Sequence, residues 1–127
     1  MIAVDTSALM AVLLGAPQAD ACKTVLQTED KLLISAAIVA EALIVAAHRN
    51  IGDEMTGLID GLGFEIVGVD AAVARRVAAA YRTWGRGAHA AALNFGDCFS
   101  YDLAQQHSCP LLFVGDDFSK TDLQSAL

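Results

Sequence analysis

The chain has 127 residues, 55% of them hydrophobic and 6% aromatic, a length and balance that suit one domain with an aliphatic core and no need of a disulfide or structural metal. Its apolar runs stop short of the ~20 residues of a membrane span, and no basic stretch precedes an apolar one at the start, so no membrane association and no signal peptide are expected and a cytoplasmic location is. The net charge of −7 argues only weakly against a nucleic-acid partner, because setting aside four carboxylates as metal ligands leaves −3.

Ile2-Ala3-Val4 is apolar and partly β-branched, which predicts a short buried strand ending at Asp5. Thr6 or Ser7 then caps a helix over 8–14. Asp5 is either a further cap or a ligand at the carboxyl end of a buried strand, where open α/β sheets place their chemistry. Gly15-Ala16-Pro17 ends that helix and starts another over 17–27, with Ala21, Cys22 and Val25 facing inward. Residues 32–34 form a second buried strand, and Ser35 caps a helix over 36–50.

This third helix is apolar on every side apart from Glu41, and a helix apolar all round is expected to be buried. An ionised carboxylate inside it has to be paired, protonated or bound to a cation. His48 and Arg49 stand two turns away, too far for a local pair. A fourth helix follows Ile51-Gly52-Asp53 and ends at Gly61 and Gly63. Residues 64–69 alternate as a strand, and Asp70 caps a helix over 71–84.

Arg75, Arg82 and Arg86 share a face if that helix extends, with Arg76 about 100° away. The stripe is a solvated face or, beside a metal site, a set of phosphate contacts. Residues 85–96 hold Gly on both sides of Arg86 and read as a mobile loop. Asp97 opens a helix reaching His107. Pro110 introduces a buried strand over 111–114, followed by Gly115-Asp116-Asp117-Phe118 and a closing turn or short helix with a last edge strand. Cys22, Cys98 and Cys109 form no C-x-x-C pair and read as small apolar residues in a reducing compartment.

Strands alternating with helices predict an α/β fold with a mainly parallel sheet. Asp5 and Asp116 end two strands at one sheet edge, and Glu41 lies two turns into a helix that starts there. Asp97 does not join them by alternation alone. Its helix is expected to run antiparallel to the strand that follows, which in a strict α/β reading places it at the far edge. If the four acids do converge, each pair at about 4 Å repels by ~4 kcal/mol at an effective dielectric of ~20. All-oxygen ligands select Mg²⁺, or Mn²⁺ in its place.

The residues resemble the PIN-domain ribonucleases, and among them the VapC toxins of bacterial toxin–antitoxin pairs. The resemblance rests on four pieces in order: Ile2-Ala3-Val4-Asp5-Thr6-Ser7-Ala8-Leu9, Glu41 after Leu32-Leu33-Ile34-Ser35, Leu93-Asn94-Phe95-Gly96-Asp97-Cys98-Phe99-Ser100-Tyr101, and Leu111 to Phe118 followed by Thr121-Asp122-Leu123. It implies a single PIN domain over 1–127 with a three-layer α/β/α sandwich. It implies a Mg²⁺-dependent endoribonuclease, a homodimer, and a cognate VapB-type antitoxin in the active-site groove. It brings Asp97 into the site, with Asp5, Glu41, Asp97 and Asp116 as catalytic metal ligands and Asp117 as the other acid of the closing pair. Thr6 or Ser7 is expected to hydrogen-bond a ligand or position water.

The expected chemistry is metal-assisted hydrolysis leaving a 5′-phosphate and a 3′-hydroxyl. Asp102 departs from the pattern, standing where the family usually has Ala, and is expected on a different helix face from Asp97. The loop over 88–92 is poor in basic residues. A haloacid-dehalogenase-like phosphotransferase requires a second Asp where Ser7 stands, and a receiver domain requires an early acidic pair that is absent. A PIN-like module that holds an antitoxin but cleaves weakly is the remaining alternative.

Overall fold

The computed structural model describes residues 1–127. Four strands, β1 (Ile2–Val4), β2 (Leu32–Ser35), β3 (Glu65–Val67) and β4 (Leu111–Leu112), form one sheet in the order β3-β2-β1-β4. Every pair is parallel. Six helices flank it, giving the three-layer α/β/α sandwich: α1 (Thr6–Leu14), α2 (Ala19–Thr28), α3 (Ala36–His48), α4 (Gly52–Leu62), α5 (Ala71–Trp84) and α6 (Phe95–Gln106). β1 and β2 are buried along their whole length, which is why they read as continuous apolar runs. β3 lies at the sheet edge with Glu65 and Ile66 exposed.

The strand order positions the site. The chain leaves β1 towards β2 and β3, then returns to β4 on the other side of β1. The crevice at the carboxyl ends of β1 and β4 is therefore the point where strand order reverses, the usual ligand position of such sheets. Both strand exits are tied there. The Asp5 N–H donates to the Leu112 carbonyl at 3.0 Å, and the Val114 N–H donates to Ser7 Oγ at 3.0 Å. That side-chain acceptor takes Val114 out of the ladder, so β4 is shorter than the predicted 111–114. Where a last edge strand is expected, the chain makes only an isolated bridge from Leu111 to Ser125.

Several local expectations are corrected. The cap of α1 is Asp5 itself, whose carboxylate accepts the Ser7 N–H, so the helix starts at Thr6. α2 buries Ala19, Cys22 and Leu26, three- and four-residue steps of one face, and leaves Ala21 exposed. α3 is not enclosed: Ile38, Ala42 and Ala46 are buried, but Ile44 is 60% exposed. α6 begins two residues before Asp97 because Asn94 and Asp97 form a capping box. Asn94 Oδ1 accepts the Asp97 N–H at 2.9 Å and Asp97 Oδ2 accepts the Asn94 N–H at 3.0 Å.

Residues 85–94, expected to be mobile, are pinned by Arg86 N–H to the Leu93 carbonyl at 3.1 Å and Leu93 N–H to the Trp84 carbonyl at 3.0 Å. His89 Nδ1 accepts the Ala91 N–H at 3.0 Å, and its ring meets Trp84 edge-on at 4.8 Å.

Asp102 is buried on α6, where its carboxylate accepts Arg76 Nε at 2.8 Å and Nη2 at 3.2 Å. This bidentate pair bolts α5 to α6, away from Asp97, as the helical spacing implied. Removing the guanidinium strands a buried carboxylate, tempered by the solvent that reaches Arg76. Arg76→Ala is expected to lower the midpoint of a urea titration and to leave RNA cleavage unchanged.

Candidate active site

Asp5, at the end of β1, is 4% exposed. Its Oδ2 accepts both the Ser7 N–H at 3.0 Å and the Ser7 hydroxyl at 2.7 Å. Its Oδ1 accepts the hydroxyl of Ser100 on α6 at 2.5 Å. Ser7 thus sits in a relay from the Val114 N–H to the Asp5 carboxylate.

Glu41 reaches this crevice from the second turn of α3. Its carboxylate presses on Gly96 so closely that a Cβ there would overlap Glu41 Oε2. The absence of a side chain at Gly96 is what lets α3 and α6 bring their acids together. Burial raises the Glu41 carboxyl above the usual range, the neighbouring Thr6 hydroxyl draws it back, and the Asp5 charge raises it further. Thr6 Oγ1 is itself buried and lacks a hydrogen-bond partner of good geometry.

Asp97 stands at the start of α6 in the same crevice. Its carboxyl is pushed up to about 6, first by burial, against the Asn94 N–H that lowers it, and then by the charges of Asp5, Asp117 and Glu41. The Glu41 carboxylate against Gly96, and the Ser100 bond to Asp5 one turn on, put Asp97 in this crevice and not at the far sheet edge. The correction is geometric: a helix running antiparallel to the strand it precedes begins at that strand's carboxyl edge. Asp116 and Asp117 both lie exposed after β4, and Asp117 is the one whose field reaches Asp97.

The fit to a hard cation is one of donor chemistry and charge. The donors are oxygens, their mutual repulsion is written into Asp97 and Glu41, and a buried hydroxyl at Thr6 lacks a partner. The arrangement is open: no three His, Cys, Asp or Glu side chains are grouped closely enough to enclose an ion. Beside Glu41 runs an apolar groove of two adjoining cavities, about 670 and 720 Å³, which share Val69, Phe95 and Phe99. Phe95 at its centre is 74% exposed. Arg86 lines the first cavity, while Arg75 and Arg82 are exposed on α5.

The PIN domain family model matches residues 2–123, across all four acidic positions. The chain belongs to the PIN-domain family. Within that family its relatives are VapC proteins. It is 39% identical over 123 residues to VapC ribonuclease Mb0640 of Mycobacterium bovis, covering 94% of each chain. It is 41% identical over 127 residues to ribonuclease VapC42 of Mycobacterium tuberculosis, covering 97% of each.

Among solved structures, VapC20 of M. tuberculosis, described as a sarcin–ricin loop cleaving toxin, superposes with a TM-score of 0.77 at 15% identity, covering 97% of this chain and 96% of that one. A toxin–antitoxin complex from Klebsiella pneumoniae gives 0.71 at 19% identity, covering 96% and 93%. At those identities the likeness is one of fold, and it is the PIN fold.

Ser100, Gly96 and Asn94 are the residues of this PIN domain's crevice that pattern reasoning passed over. Each had a signal. Ser100 is one helical turn beyond Asp97, Asn94-x-x-Asp97 has capping-box spacing, and Gly96 is a glycine inside a helix.

Proposed function

We propose that this VapC-type PIN domain is a metal-dependent endoribonuclease, the toxin of a VapBC-type pair, with its reaction centre between Asp5, Glu41, Asp97 and the Asp116-Asp117 pair. The observation that carries the reading is the gathering of acids from β1, α3 and α6 at the sheet's switch point, where burial first, and then the charges of the neighbouring acids, lift Asp97 to about 6. Asp5, Glu41 and Asp97 would hold Mg²⁺, or Mn²⁺, together with an acid of the closing pair. The field at Asp97 favours Asp117 as that acid, and Asp116 is the other candidate. A bound cation of this class supplies Lewis-acid stabilisation of phosphate charge and a more acidic water.

The chain's own residues do the positioning. Asp5 is fixed by its two serines, Glu41 is wedged against Gly96, and Asp97 is held by the Asn94 box. Arg75, Arg82 and Arg86 are candidate phosphate contacts.

The apolar groove beside Glu41 suits a protein partner better than RNA, because it is lined almost entirely by hydrocarbon. It supports a cognate antitoxin, and the uncovered side of α3 supports a homodimer. No helix is long and apolar enough to cross a membrane by itself, and three free cysteines suit the proposed reducing cytoplasm.

The reading is tested by incubating the purified chain with RNA in Mg²⁺ or Mn²⁺, beside an EDTA control and Asp5→Asn. Cleavage to 5′-phosphate and 3′-hydroxyl ends is expected only for the wild type with cation. Cleavage that survives both controls contradicts the metal mechanism. A wild type that binds an antitoxin peptide but leaves RNA intact favours the weakly cleaving binding module.

A further inference from the structure

We infer that Ser100 is a positioning residue whose hydroxyl locks Asp5 and Asp97 into one constellation, with Ser7 completing the clamp on the second oxygen of Asp5. This rests on reading the acids as a cation site. Ser100 is 1% exposed, and its hydroxyl proton is spent on Asp5 Oδ1. No salt bridge compensates Asp5, and its carboxylate draws its hydrogen bonds from Ser7 N, Ser7 Oγ and Ser100 Oγ. A carboxylate has about four acceptor sites. Oδ2 uses two of them on Ser7 and Oδ1 uses one on Ser100, so the acceptor capacity that remains lies on Oδ1. The clamp thereby selects which oxygen Asp5 offers to an incoming cation.

The same bond sets α6. Ser100 follows Asp97 by three residues, so both side chains leave one face of the helix. Of the other buried positions of α6, Tyr101 and Asp102 bond to Asp122 and to Arg76 on α5, while Cys98, Phe99, Leu103 and Ala104 pack by apolar contact, so the Ser100 hydroxyl supplies the side-chain bond from α6 to the end of β1. A short hydroxyl–carboxylate bond is directional and fixes the rotation and height of the helix against β1. Asp97 is carried into place by it. Ser7 extends the clamp to the exit of β4 through the Val114 N–H, and so to the segment bearing Asp116 and Asp117.

The test is a Mn²⁺ titration of the full chain, following free Mn²⁺ by electron paramagnetic resonance, run beside RNA cleavage kinetics for wild type, Ser100→Ala and Ser100→Thr. Ser100→Ala is expected to bind Mn²⁺ about tenfold more weakly and to lose about 10- to 100-fold in kcat, with the KM for RNA unchanged. Ser100→Thr keeps the hydroxyl and is expected to stay within about threefold of wild type in Mn²⁺ affinity. If Ser100→Ala does not fold, Ser100→Cys keeps the volume without a strong donor and is expected to show the same weakening.

A folded Ala or Cys variant with wild-type Mn²⁺ affinity overturns the clamp and leaves the ribonuclease reading standing. A wild type that binds Mn²⁺ but leaves RNA intact overturns the ribonuclease reading, and the Mn²⁺ affinities of the variants still decide the clamp. A wild type that binds no Mn²⁺ overturns both.

Discussion

Asp97→Asn is expected to raise the melting temperature of the cation-free protein at pH 7.5 by ~3–8 °C while lowering RNA cleavage by two to four orders of magnitude, on the order of the several kcal/mol that a cation's charge stabilisation supplies. The stability half follows from linkage. The Asp97 carboxyl sits at about 6 in the fold, well above its ordinary 3.8. Between those values the folded chain binds more protons than the unfolded one, so stability falls as pH rises through that window. The favourable contribution is complete below about pH 4 and lost above about pH 6. That difference bounds the cost at ~3 kcal/mol, and ~1–2 kcal/mol is expected because solvent reaches one side of the group.

Asparagine carries no charge and still offers an oxygen to the Asn94 N–H, so the capping box survives. The gain over wild type is therefore expected to shrink as pH approaches 4, which differential scanning calorimetry in EDTA at several pH values reads directly. A variant that melts below wild type at every pH would make Asp97 a structural cap and nothing more.

Gly96→Ala is expected to abolish most activity without unfolding the chain, the reverse of what a core glycine usually does. Its Cβ would occupy the place of Glu41 Oε2, the far end of a flexible side chain. Glu41 swings away, towards the apolar groove it borders. The helix gains from losing an interior glycine, by up to ~1 kcal/mol, which offsets the displacement. The melting temperature should stay within a few degrees of wild type, while cleavage falls about as far as in Glu41→Gln, on the order of a hundredfold. If Gly96→Ala cleaves like wild type, the Glu41 carboxylate has no part in the reaction.

Much of this was legible in the residues, for reasons that differ from place to place. β1 and β2 were visible because strands buried on both faces are apolar throughout. Glu41 stood out because it interrupts an otherwise apolar helix. The misplacement of Asp97 came from the direction of α6 and not from its boundaries: an antiparallel helix leading into β4 starts beside the end of β4. The burial expected for all of α3 failed for a different cause. Periodicity reports apolar faces but not what covers them, and Ile44 lies open on the side of the groove.

The Ser7 relay and the Ser100 bond were beyond any spacing rule, since they join residues 107 and 95 positions apart. The looseness expected at residues 85–94 rested on two glycines, but the backbone there closes on itself between Trp84 and Leu93.

Thermal unfolding at pH 7.5 as a function of Mg²⁺ concentration tests most directly whether these acids form a cation site held in tension. A cation at a hundred times its dissociation constant stabilises the fold by ~2.7 kcal/mol. The wild-type melting temperature is expected to climb with Mg²⁺, starting below that of Asp97→Asn and overtaking it, while the variant stays nearly flat. A wild-type curve that does not move at millimolar Mg²⁺ would contradict the site.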